Sequence, residues 1–153
     1  MMIKTMVRST LLNLVLCALL RANDVAVSAV DCMSNTEFPA HDVEVYVLDA
    51  GKNPKIVELV GTLDALDEDK YAGRFEQLLS LLRRAALAHK KTDTNGKVQF
   101  DLRGGQRFLF LGYGEREWAA YYWGTRTVSL SKSRSENVTI YFGPCAHRSP
   151  ARP

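Results

Sequence analysis

Three histidines, His41, His89 and His147, are the residues best suited to acid–base or metal chemistry. Only His41 has an acid beside it, Asp42, and neighbours on an extended chain point to opposite faces, a poor arrangement for chelation. Ser129-Leu130-Ser131-Lys132 has the S-x-x-K spacing of an activated serine, but its usual partner motifs are absent and it falls in a strand pattern. No nucleophile elbow, zinc-helix or phosphate-loop motif occurs. Asp93-x-Asn95-Gly96 has part of a calcium loop, yet the positions that should complete it hold Lys91 and Leu102, so it reads as a turn. The expectation is no catalytic residue, no metal and no cofactor. A hydrolase built from scattered residues such as His41, Asp49 and Glu115 is disfavoured, because no pair of titratable groups has a visible arrangement.

Binding is the alternative to catalysis, and aromatic residues carry that case. Tyr113, Trp118, Tyr121, Tyr122 and Trp123 fall within 11 residues. On a strand, Trp118 and Tyr122 share one face, and Tyr121 and Trp123 the other. A sandwich buries one face of each sheet, so one pair is exposed unless a helix covers it. Exposed Trp and Tyr suit recognition of a partner, or stacking on sugar rings. The competing expectation is that a helix packs over the patch and completes a core.

The compartment is read from the N-terminus. Lys4 and Arg8 precede an apolar run, Thr10 to Leu20, which Arg21, Asn23 and Asp24 then break. The run is shorter than the roughly 20 residues a membrane span needs, and it fits the core of an export signal. Val27-Ser28-Ala29 has small residues where a signal peptidase requires them, so cleavage is placed after Ala29, with Ala22 and Ala26 as lesser candidates. The Asp31 before Cys32 argues against lipidation. Removing residues 1–29 takes Lys4, Arg8, Arg21 and Asp24 and lowers the formal net charge from +3 to +1. A near-neutral chain gives no electrostatic case for nucleic acid or an anionic membrane. Cys17 leaves with the signal, and the remaining pair, Cys32 and Cys145, reads as a disulfide tying the two ends together.

The elements that would position these residues follow from periodicity. Residues 30–40 read as a polar lead-in. Asp42 to Asp49 alternates, with Val43, Val45 and Val47 on one face, as a half-buried strand. Ile56 to Val60 reads as a second short strand. Tyr71, Phe75, Leu78, Leu82 and Ala85 step at helical spacing, with acids before and bases after, which predicts an amphipathic helix over about 64–91. Asn95-Gly96 signals a hairpin, and Arg107 to Leu111 a central strand. Short strands at 117–123, 126–131 and 137–142 complete an all-β pattern.

The run Thr92-Asp93-Thr94-Asn95-Gly96-Lys97-Val98-Gln99-Phe100 resembles the T-D-x-x-G-x-[FV]-x-F segment of carboxypeptidase regulatory-like domains. Val43 to Val47, Leu102 to Phe110, Val128-Ser129-Leu130 and Val138-Thr139-Ile140 correspond to that family's other strands, so the resemblance covers about residues 42–142. Two departures stand out: Arg103-Gly104-Gly105 replaces the family's Pro-Pro-Gly turn, and a helical segment is inserted before the hairpin. The resemblance implies a mainly β, transthyretin-like (prealbumin-like) sandwich of about seven strands with one inserted amphipathic helix. It also implies a non-catalytic exported module, periplasmic or secreted, that binds an envelope protein or a carbohydrate polymer. A purely structural module is the alternative. The expected organisation is a signal at 1–29, one domain at 30–147 and a flexible tail at 148–153. Ligand identity and oligomeric state are left open.

Overall fold

The computed structural model describes residues 23–33, 36–62, 68–116, 119–132 and 135–142. They form three layers, two β-sheets face to face and a pair of helices on the outside of one sheet. The fold is mainly β, as expected, with eight strands among the described residues.

The first sheet is built around β1 (Asn23–Met33). β8 (Glu136–Phe142) runs parallel along one side of it, from Val25↔Glu136 to Asp31↔Phe142. Two antiparallel strands share the other side. β5 (Lys97–Leu102) covers Asn23 to Ser28, and β2 (Thr36–Pro39) covers Val30 to Met33. The second sheet is antiparallel with the order β4-β3-β6-β7 (Ala88–Lys91, Glu44–Asp49, Arg107–Arg116 and Ala119–Ser129).

The expected boundary after Ala29 therefore falls inside a central strand. Val25, Val27 and Ala29 are buried to 1% exposure or less and belong to the core between the sheets. The expected lead-in at 30–40 holds the end of β1 and all of β2. The expected domain end at 147 and the tail lie outside the described residues.

The inner core takes alternate residues from each strand. Val98, Phe100 and Leu102 of β5 and Val138, Ile140 and Phe142 of β8 meet Val45, Val47, Phe108 and Phe110 of the opposing sheet. Burial of such side chains is the main driving force for the sandwich. β3 and β6 are buried on their second face as well, because the helical layer covers it. Tyr46, Leu48, Leu109 and Leu111 pack there against Ile56, Val60, Phe75, Leu78, Leu79 and Leu82.

Two local expectations are corrected here. Residues expected as a second strand form a helix, α1 (Pro54–Thr62). Proline fits a first helical position, and the Asn53 carbonyl accepts hydrogen bonds from the Ile56 and Val57 N–H groups. Ile56 and Val60, one turn apart, are the buried pair. The main helix, α2 (Glu68–Ala85), is shorter than the expected 64–91, since residues 88–91 leave it to become β4. Its buried Phe75, Leu78, Leu79 and Leu82 follow the predicted stripe.

The third correction concerns Asn95-Gly96. The strands on either side of this turn do not pair: β4 joins β3 and β5 joins β1, so the turn carries the chain from one sheet to the other. The Asp93 carboxylate accepts from the Asn95 and Lys97 N–H groups at 2.8 and 2.9 Å. Gly96 has φ 69°, and a Cβ there would lie 2.6 Å from the Ala29 carbonyl oxygen. Thr92 is buried and links two more segments. Its hydroxyl accepts from the Val43 N–H at 3.0 Å and donates to the Ala40 carbonyl at 2.8 Å. Thr92→Val keeps the shape and strands both backbone groups, so it should cost about 2 kcal/mol in urea unfolding. An unchanged midpoint would show that water replaces the hydroxyl.

Candidate functional site

The helix-facing side of the second sheet carries a row of four residues in register. Lys91 of β4 stands opposite Glu44 of β3, Glu44 opposite Tyr113 of β6, and Tyr113 opposite Trp123 of β7. Directly opposed residues share a face, so these side chains form one line across all four strands. The next row inward, His89, Tyr46, Leu111 and Thr125, begins under α2. Tyr46 and Leu111 are buried there, whereas Tyr113 and Trp123 are only half-buried. The row is thus the rim where the helical cover thins out.

At one end the rim is charged. The His89 imidazole Nε2 hydrogen-bonds the Glu44 carboxylate. The Lys91 ammonium lies 4.0 Å from the other oxygen of that carboxylate. The His89 ring stacks on Tyr46 with centroids 4.7 Å apart and planes 9° from parallel, which fixes its orientation. From above, Arg83 of α2 hydrogen-bonds Tyr46; that bond, helped by the charge of Glu76, raises the guanidinium pKa above its ordinary value. At the other end the rim is aromatic. Phe75 of α2 packs against Tyr113 at 5.4 Å and against Trp123 at 6.0 Å between centroids.

Of the five aromatic residues expected to form a surface, the structure brings Tyr113 and Trp123 together, and the helix partly covers both. Trp118 lies outside the described residues, and the side chains of Tyr121 and Tyr122 are likewise not described. Cys32 is buried on β1 at 3% exposure, and Cys145 lies outside the described residues.

The other candidates stand apart from the row. His41 is exposed at a turn whose Asp42 has φ 58°. Asp49 accepts from the Gly51 and Lys52 N–H groups and holds the turn before α1. Ser129 and Lys132 are exposed. The Glu115 side chain and His147 are outside the described part. Among the described residues, no three His, Cys, Asp or Glu side chains gather as a metal site.

Sequence reading missed the Glu44–His89 pair and Arg83. Glu44 and His89 are 45 positions apart, and only the β3–β4 register joins them. The alternation of β3 had placed Glu44 on an outward face, which was the one usable signal.

Chemically, the rim offers two partly open aromatic rings, a carboxylate, an imidazole and an ammonium on a shallow surface. Such a surface can stack on apolar ring faces and exchange hydrogen bonds with hydroxyl groups.

No family model matches the chain. No curated protein matches it either. Among solved structures, it is similar to a candidate carbohydrate-binding protein from Pseudomonas aeruginosa, with a TM-score of 0.51 and 12% identity over 80% of this chain and 90% of that one. It also aligns with a minor pilin of Streptococcus agalactiae, with a TM-score of 0.43 and 12% identity over 79% of this chain and 50% of the pilin. At such identity the first of these shows a shared fold. No described helix is long and apolar enough to cross a membrane.

Proposed function

We propose that this chain is a non-catalytic, exported β-sandwich module of the carboxypeptidase regulatory-like type that binds a carbohydrate polymer of the cell envelope. The observation that carries the reading is the rim row Lys91–Glu44–Tyr113–Trp123, in which two half-buried rings continue into a hydrogen-bonding charged pair. A sugar offers apolar ring faces and a fringe of hydroxyls, and the row presents a counterpart to each. The fold shared with a candidate carbohydrate-binding protein is compatible with this role and does not assign it.

Export rests on the N-terminal signal pattern. The cleavage site that spares β1 is the one after Ala22, directly before Asn23. A chain from Asn23 has lost Lys4, Arg8 and Arg21, and its formal net charge is zero. The Cys32–Cys145 disulfide belongs to the same reading. β8 runs parallel to β1 up to Asp31↔Phe142, so it delivers the chain three residues before Cys145 to the neighbourhood of Cys32.

Binding is tested by calorimetric titration of the full mature protein with soluble peptidoglycan fragments, neutral glucans and uronate oligomers. At least one class should bind saturably, and Glu44→Gln should weaken it about tenfold, equivalent to about 1.4 kcal/mol, without moving the melting temperature. Failure of all three classes, or a variant that binds like wild type, would overturn the reading. The Phe75 contact favours a second reading, a purely structural module. Under it Trp123→Ala lowers the melting temperature and removes no ligand.

A further inference from the structure

A second concave site lies away from the rim. A cleft of about 760 Å³ opens between the turn after β3, helix α1 and Leu81 of α2. Its volume is within the usual range of small-molecule sites. The cleft is polarised along its length. Lys52, Asn53 and Lys55 stand at the end where α1 begins, and Ile56, Leu59 and Leu81 form an apolar wall. Leu81 points away from the core that takes Leu78, Leu79 and Leu82, and 37% of it is exposed.

The cationic end is only partly compensated. Lys52 has Asp49 at 3.8 Å, but the lysine side chain is 77% exposed, and one Asp49 oxygen already serves two backbone N–H groups. α1 carries no acid in its first turn to offset its positive end. Glu58, one turn further along, is the acid among the lining residues.

We infer that this cleft binds a free single-chain anionic amphiphile of the fatty-carboxylate class. The carboxylate sits between Lys52 and Lys55, and the alkyl chain lies along Ile56, Leu59 and Leu81. An enclosed groove for one chain, rather than a flat apolar face, favours a free molecule over a bilayer. The site is independent of sugar binding at the rim.

The test is calorimetric titration of the full mature protein with dodecanoate, kept below its micellar concentration, and with dodecanol. Dodecanoate should bind one to one and more tightly than dodecanol. The double variant Lys52→Glu/Lys55→Glu changes only exposed side chains. It should weaken dodecanoate by roughly tenfold, a factor worth about 1.4 kcal/mol, and leave dodecanol unaffected. Leu81→Asp should weaken both. Three results would overturn the assignment: no saturable binding, equal affinity for the alcohol and the acid, or a wild-type dimer that Leu81→Asp converts to monomer, which would place a second copy in the cleft.

Discussion

A chain shortened to begin at Val30 will remain unfolded, while one beginning at Asn23 will melt cooperatively. Residues 23–29 supply Val25 and Val27, both buried to 1% exposure or less. Full burial of two such side chains is worth about 3–6 kcal/mol. Typical domain stability is only about 5–15 kcal/mol. The same residues provide the backbone partners for all of β5 and for most of β8. Without them those two strands lose the strand that lies between them, and the first sheet comes apart. Circular dichroism melts of the two chains decide the matter. The intact mass of the exported protein should begin at Asn23 and rise by two hydrogens on reduction if Cys32 and Cys145 are joined. A folded, stable chain from Val30 would show that β1 is dispensable and would restore the cut after Ala29.

Gly124→Ala should be the most damaging single methyl group in the molecule, costing about 3 kcal/mol, at the upper end of overpacking effects. Gly112 and Gly124 stand opposite each other on β6 and β7 and make a trough in the inner face of their sheet. The Phe142 ring fills it beside Gly112, where a Cβ would lie 2.5 Å from the ring. At Gly124 a Cβ would lie 2.2 Å from the Tyr141 carbonyl oxygen and 3.0 Å from Ile140. Tyr141 is held in the ladder opposite Val30, so its oxygen cannot retreat unless β8 shifts. A glycine inside a strand often marks such a close approach of another backbone. Gly73→Ala is the control. That glycine is exposed on α2 with nothing within 4 Å of its Cβ position, so alanine there should stabilise by up to about 1 kcal/mol through helix propensity. Denaturant midpoints of the two variants should move in opposite directions. If Gly124→Ala matched the control, the trough would not be a packing constraint.

Much of the architecture could be read locally. The alternation of Val43, Val45 and Val47, of Val98, Phe100 and Leu102, and of Val138 and Ile140 reports one buried face per strand, and all of these residues lie in the inner core. The Phe75–Leu82 stripe likewise reports its helix. α1 was misread because Ile56 to Val60 combines strand-forming residue types with a helical burial pair, and packing on the second sheet decided between them. β1 was misread because Val25, Val27 and Ala29 have small residues between them, a pattern that also suits a cleavage site.

Periodicity, turn chemistry and the two composition shifts are properties of neighbours along the chain, and the amino-acid sequence alone determined them: a β-rich domain, an amphipathic helix, an export-type N-terminus and the lack of a recognisable catalytic motif. The tertiary structure alone decided which strands became partners. It sent β4 and β5 to different sheets across Asn95-Gly96, laid α2 over Tyr113 and Trp123, and joined Glu44 to His89. These outcomes depend on long-range register and on which apolar face finds another to cover it. Both are set by packing between distant segments, which no local pattern encodes.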